Sequence, residues 1–430
     1  LAASGRGFDA YTGTGFGWWD AGNNRGLGAS YGGYGGGHDL ENDDHTPYGT
    51  VYEPLLHGSG GGHAPDADIE ETTCYSSTTA AIMKVPCDRG AGGGVIHIAA
   101  GSQIEVDGVV IANGAEGVAP NGGGGSGGSI FFETTNFTGH GEVNVNGGAG
   151  HSAGFGGSGG RIAVHIRHRH TFGGQLRSVG GLPAAGPGTA FVYESNRGPQ
   201  YALFKYDPEL RALNPVSPHR HVRVDAEDNV VPQPALIMDT TGDFIDFDEL
   251  TVDGHAKLYF YHPKDQTFVT IVAHKMRGDR TGIVRVRSDQ RFFVEVVRGE
   301  ANVHDAPVTY EVDVDAEILM PPNLVLRGEE IALKGRITNV EHVYIERGGE
   351  FQCMEECHTA LLTLEKANET VVIHGVEYEL VETSKTFYPR DAYHSLQDPS
   401  HMKLATIEIK NLGKLLVYVA QAKLVVADFD

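Results

Sequence analysis

Long apolar runs are missing from this 430-residue chain. None approaches the roughly 20 residues that a membrane helix requires, so no membrane span is expected. Helical periodicity is almost absent as well, with 358–366 the best short candidate. Positive charge is scarce: 33 Lys and Arg stand against 56 Asp and Glu, for a formal net charge of −23. Such a surface argues against nucleic acid and anionic lipid as partners, since both need basic patches. The glycine clusters contain no G-x4-G-K-[ST] phosphate loop and no G-x-G-x-x-G that opens a helix. No Ser-His-Asp arrangement stands out, and no enzymatic activity is expected.

Cysteine is also sparse, and its four residues form two local pairs, Cys74 with Cys87 and Cys353 with Cys357. Two short-range disulfides in an exported protein fit this spacing, with four free thiols as the alternative. A shared zinc site is disfavoured, because the pairs lie far apart and His358 alone completes no ligand set. Asn136-Phe137-Thr138 and Asn368-Glu369-Thr370 are glycosylation sequons. The chain opens with Leu1 rather than Met, which predicts a processed product or part of a longer polypeptide.

What is abundant is glycine, with 60 residues, of which 49 precede position 201. That break in composition separates a glycine-rich half from an ordinary one. Within the first half a phrase recurs three times: a glycine pair, an apolar strand, a second strand and a glycine-ended turn. It begins at Gly93-Gly94-Val95-Ile96, Gly127-Gly128-Ser129-Ile130 and Gly159-Gly160-Arg161-Ile162, and closes at Gly114, Gly147 and Gly180. The closing glycines are 33 residues apart both times, a period typical of stacked repeats. Short β-branched runs between tight turns read as strands. Parallel strands stacked repeat on repeat, with glycine at crowded corners, are therefore expected. A glycine-rich antiparallel sandwich is the alternative.

The expected fold is all-β: a parallel β-helix or solenoid with glycine-rich N-terminal rungs, taken as right-handed by default. Four segments are anticipated. Residues 1–90 form a glycine- and aromatic-rich lead-in of irregular loops, and 91–195 carry the repeats. Residues 196–315 are β-rich, with a sandwich-like insert as an option because 284–287 and 293–296 alternate strictly. Residues 316–430 return to a short-strand rhythm of about six residues, as solenoid faces and corners produce.

The phrases Gly122-Gly123-Gly124-Gly125-Ser126-Gly127-Gly128-Ser129-Ile130 and Gly156-Gly157-Ser158-Gly159-Gly160-Arg161-Ile162-Ala163-Val164, with the upstream Tyr34-Gly35-Gly36-Gly37-His38 stretch, carry a resemblance. Over roughly 30–195 the chain resembles repeats of large glycine-rich secreted and cell-surface proteins of plants, algae and other protists. The resemblance implies an extracellular β-helix-like module of a structural or adhesive protein, and it transfers no catalytic residues.

Three constellations merit testing for chemistry. Asp39, Glu41, Asp43 and Asp44 gather four carboxylates in six residues, a candidate Ca²⁺ site without EF-hand spacing; a solvated acidic loop is the plainer reading. No cofactor is required by anything in the sequence. His165, His168 and His170 alternate with Arg167 and Arg169. In a regular strand His168 and His170 share one face, and His165, Arg167 and Arg169 the other. That mixture suits an anion-facing ridge, or contact with the acidic surface of another copy, better than a metal site. Glu105 and Asp107 share a strand face as a polysaccharide-cleaving pair would, but have no counterpart in the later repeats.

These readings converge on a secreted structural protein whose partner is itself, assembled into an extracellular filament, sheath or flagellar hair. The alternative is a carbohydrate-binding adhesin or a β-helix polysaccharide lyase or hydrolase, with matrix glycans as partners.

Overall fold

The computed structural model describes residues 1–38, 46–64, 71–75, 84–88, 90–118, 120–195, 219–226, 233–237, 244–260, 269–273, 275–294, 303–321, 323–338, 340, 342–345 and 349–353. It also describes the strands Thr363–Leu364, Thr370–Ile373, Val376–Glu379, Lys385–Thr386, Thr406–Ile409, Lys414–Val417 and Asp428–Phe429. The described residues are all-β with no helix, and most of the larger ladders are parallel. The helix candidate at 358–366 lies outside them, except that Thr363–Leu364 is a short strand. The chain divides into two compact units, one comprising Leu1–Thr241 and Thr251–Tyr261, the other Gly242–Leu250 and His262–Asp430.

In the first unit the three repeats stack. Val95–Glu105, Ser129–Gly139 and Arg161–Phe172 run parallel, and their register joins Ile96 to Ile130 and Ile130 to Ile162, the isoleucines that open each copy. The shorter strands Val109–Ile111, Glu142–Asn144 and Gln175–Arg177 form a second parallel sheet. Ile96, Ile130, Phe132, Ile162 and Val164 of the first sheet share one apolar core with Val110, Val143 and Val145. Each such side chain, fully buried, contributes about 1.5–3 kcal/mol. The Asn of each turn links one repeat to the next: Asn113 Oδ1 accepts from Asn146 N–H at 2.8 Å, and Asn146 Oδ1 from Val179 N–H at 3.0 Å.

The glycines do something the strand pattern does not announce. Their segments are not strands; the hydrogen-bond direction rotates with a period of three residues. Along 123–128, Gly123 and Ser126 donate to Gly62 and Ser59, Gly124 and Gly127 to Phe155 and Ser158, and Gly125 and Gly128 to Ala115 and Ala112. The carbonyls of Gly124, Gly125 and Ser126 accept from Ala29, Gly148 and Gly93. The segment is therefore bonded to six others. A three-fold extended helix, the polyproline II geometry, presents its backbone groups in this way. With neighbours on all sides no Cβ fits: one added at Gly125 would lie 2.0 Å from the Ala91 carbonyl oxygen, and one at Gly123 1.9 Å from that of Leu27. Residues 154–160 repeat the rule, Phe155 and Ser158 donating to Gly26 and Ala29, Gly156 and Gly159 to Pro183 and Gly186, and Gly157 and Gly160 to Gly148 and Val145. The described lead-in, expected as irregular loops, supplies several of these segments. Glycine here builds the interior of a bundle as well as its corners.

In the second unit the strands cycle through three sheets. Thr309–Val312, Glu317–Leu319 and Asn323–Leu326 are followed by Glu330–Leu333, Arg336–Thr338 and His342–Ile345, each pairing in parallel with its counterpart three strands earlier. Tyr310 pairs with Ile331 and Ile331 with Phe351, offsets of 21 and 20 residues. Leu324 pairs with Val343, an offset of 19. Every one of these side chains is buried, as are Phe292, Ile318 and Ile337 in the remaining sheet. Alternation leaves most of their described neighbours at least partly exposed, although Val325 beside Leu324 is buried too. Strands of 283–312, where a sandwich was an option, pair in parallel and continue these ladders. No helix among the described residues is long and apolar enough to cross a membrane.

Candidate functional site

Several anticipated residues fall outside the described set. Asp39, Glu41, Asp43 and Asp44 do, as do Cys357 and Asn368. Cys74 and Cys87 lie on the antiparallel pair Glu71–Tyr75 and Lys84–Asp88, whose backbone register sets Cys74 against Val85 and Cys87 against Thr72. Cys353 ends the strand Glu350–Cys353. The side chains of these three cysteines lie outside the described set. Asn136 is inside a sheet, in register with Gln103 and Arg169, and its side-chain amide donates to the Ser102 carbonyl at 3.2 Å. Among the described residues no group of three or more His, Cys, Asp or Glu is placed to hold a metal.

The histidine–arginine run departs from strict alternation. Thr134 pairs with Ile166 but Asn136 pairs with Arg169, so Arg167 and His168 together oppose Thr135. The same level of the preceding strand is bulged, with Gly101 and Ser102 opposite Thr135. A bulge bends a strand and re-aims its side chains. As a result Arg167, His168 and Arg169 are all exposed, whereas a regular strand would turn one of them inward. His170 is half-buried, and its Nδ1 lies 2.9 Å from Glu194 Oε1.

His165 belongs elsewhere again. It sits in a row of rings, 4.9 Å from Phe131, 5.4 Å from Tyr193 and 6.0 Å from Phe191, with His97 stacked on Phe131. The segment 46–56 covers this row: Tyr52 meets Phe191 edge-on, and its carbonyl lies 2.9 Å from His165 Nε2. Burial pushes the His165 pKa down, against the opposing pull of the Tyr52 hydrogen bond.

The same segment is anchored by a residue that sequence reasoning passed over. Arg161 is completely buried; its Nε donates to the Tyr48 carbonyl at 3.1 Å and Nη1 to Thr189 Oγ1 at 3.2 Å. Its guanidinium lies 5.6 Å from the Tyr31 ring centre. Desolvation lowers its pKa to about 10, partly offset by Tyr31 and Tyr48. A signal was available: Arg161 stands where the other copies have Val95 and Ser129, the one charge at that station of the repeat.

In the second unit a polar node closes the corner between the sheets of Asn323–Leu326 and Glu330–Leu333. The Glu329 side chain is fully enclosed, accepting from Arg280 Nη1 and, at 2.5 Å, from the Arg327 backbone N–H. Asp305 bridges both arginines, 3.2 Å from Arg280 and 2.6 Å from Arg327. Two cations thus balance two carboxylates, which suits a staple. Beside it His304 Nε2 lies 3.0 Å from the Tyr310 hydroxyl, and burial depresses the His304 pKa to about 4.

No family model, curated protein or solved structure matches this chain.

Proposed function

We propose that the chain is a secreted structural protein that assembles with copies of itself into an extracellular filament, sheath or hair. The observation that supports it is the construction of the first unit. Nearly every backbone N–H of 122–129 and 154–161 is bonded to a different segment, so the main chain itself forms a cross-linked interior. Such a lattice gives rigidity and regular length, the properties of a scaffold. On this reading the three-sheet cycle of the second unit is a parallel β-helix, with rungs of about 20 residues. The disulfides Cys74–Cys87 and Cys353–Cys357, glycans at Asn136 and Asn368, and Ca²⁺ at Asp39, Glu41, Asp43 and Asp44 belong to the same proposal.

The glycan-binding or glycan-cleaving alternative calls for aromatic rings exposed along successive strands. Phe131 and Phe191, which occupy that row, are only 3% and 2% exposed beneath 46–56. Negative-stain microscopy of the purified chain over a range of concentrations is the test. Regular polymers are expected; short monodisperse particles at every concentration would overturn the proposal. A glycan array together with a reducing-sugar release assay decides the alternative.

A further inference from the structure

Residues 1–5 repeat a turn that recurs three times later in the first unit. Ala2 bridges Ile111 in parallel, Ile111 pairs with Asn144, and Asn144 with Arg177. The bonds that follow are the same in each copy. The carbonyls of Ala3, Ala112, Val145 and Ser178 accept from Gly94, Gly128, Gly160 and Gly188 at 2.8, 2.8, 2.7 and 2.6 Å. Asn113 N–H donates to Ser4 Oγ at 3.0 Å, as Asn146 N–H does to Asn113 Oδ1. Residues 1–5 are therefore the short-strand half of a further rung, laid against Val109–Ile111.

In the later rungs a long strand accompanies that short one. Here the long sheet ends at Val95–Glu105, which among the described residues pairs with Ser129–Gly139 and no other strand. Ser129 N–H donates to the Gly94 carbonyl, so alternate groups from Gly94 onward face the ladder. Val95, His97 and Ala99 turn their amides and carbonyls to the other side, where no described residue bonds them. The bulge at Gly101 and Ser102 confines this regular edge to 95–100. The core is open at the same place. Ile98 and Ala100 are only partly buried, whereas Phe132, Val164, Thr134 and Ile166, in register with them, are at most 1% exposed. Free edges are commonly blunted with charge or proline. From Val95 to Ile104 there is no Lys, Arg, Asp, Glu or Pro.

We propose that the edge of Val95–Glu105 is a strand-accepting site for an extended polypeptide of the repeat's own pattern, bound in parallel register. The ladder itself specifies that occupant. Three successive strands place Ile96, Ile130 and Ile162 at one station and Ile98, Phe132 and Val164 at another. A strand apolar at the same two stations closes the same core. Main-chain hydrogen bonds supply the affinity of such strand addition, and alternate side chains its specificity. Residues 1–5 already hold the adjoining short-strand station, so the added strand completes a rung. The site goes beyond the assembly proposed above and stands whether or not the chain polymerises.

The probe is a synthetic peptide with the sequence of 93–105, added to the full chain while amide exchange is read at Val95, His97 and Ala99. In the chain alone these three amides are expected to exchange fast. With peptide at about 1 mM they are expected to slow by about tenfold or more. Methylating the peptide nitrogens copied from Ile96 and Ile98 removes donors that face the edge, and protection is expected to vanish. Methylating the one copied from His97, which faces away, is expected to leave protection intact. Ala99→Pro removes an edge donor from the chain without touching the ladder to Ser129–Gly139, and should weaken binding with the thermal transition retained. If that variant does not fold, the methylated peptides decide. Slow exchange of the three amides in the chain alone would show the edge already covered and overturn the proposal. So would an absence of protection by the peptide, or equal protection by a scrambled peptide or by both methylated forms.

Discussion

Gly125 in the first unit and Phe292 in the second are both buried, and they fill their surroundings in opposite ways. Gly125 is packed by backbone alone, with the Ala91 carbonyl where its Cβ would be. Phe292 fills its space with a ring, in register with Ile271 and Ile318. One unit excludes side chains from part of its interior and the other is made of them. The difference teaches that similar parallel stacking can rest on opposite demands for volume. Where segments touch on six sides, backbone hydrogen bonds supply the cohesion. Where strands cycle through sheets about 20 residues apart, apolar side chains do.

Opposite substitutions therefore ought to damage the two units. The largest effect is expected from Phe292→Ala, about 4 kcal/mol lost through transfer and cavity terms. Local hydrogen exchange over 290–294 should rise, and exchange in the glycine bundle should not. Gly125→Ala is expected to cost about 3 kcal/mol, because the clash is with backbone that cannot swing aside. Calorimetry should show a lowered transition, and a wild-type transition would refute the six-neighbour packing. Gly101 provides the control, since nothing lies within 4 Å of an added Cβ there. Gly101→Ala should alter stability by no more than about 0.5 kcal/mol.

Acid sharpens the comparison further. The folded pKa of His304, about 4, lies below its usual value near 6.5, so the folded state favours the neutral ring. Its contribution is fully present above about pH 6.5 and is lost as pH falls towards 4, up to about 3 kcal/mol. His304→Gln should flatten the stability of the second unit across that window. An unchanged pH profile in the variant would place the acid sensitivity elsewhere. The smallest expected change is the Gly101→Ala control, which calibrates all the others.

Much of the stacking was legible. The isoleucines at 96, 130 and 162 announced the register, because a repeated strand buries the same face each time. The short apolar rhythm from 324 to 351 likewise marked the ladders of Leu324, Ile331, Val343 and Phe351. The glycine bundle was not legible in the same way. A three-fold helix leaves its trace in which residues lack side chains, and an all-glycine run hides its own period. The bulge at Arg167 and His168 was invisible too, since alternation was the only rule available and register with Thr135 decides the outcome. Arg161 could have been noticed as the odd member of its repeat position, though nothing in the sequence says that 46–56 would close over it.

The crowding around Gly123, Gly124, Gly125, Gly127 and Gly128 has a consequence for how such sequences are judged. By composition the stretch looks poor in information, one letter repeated and easily set aside as filler. At each of these stations a backbone atom lies within 2.0 Å of where a Cβ would stand, so nineteen of the twenty amino acids are refused. A position that admits a single letter is as strongly specified as any position in a protein can be. Monotony there is the record of constraint.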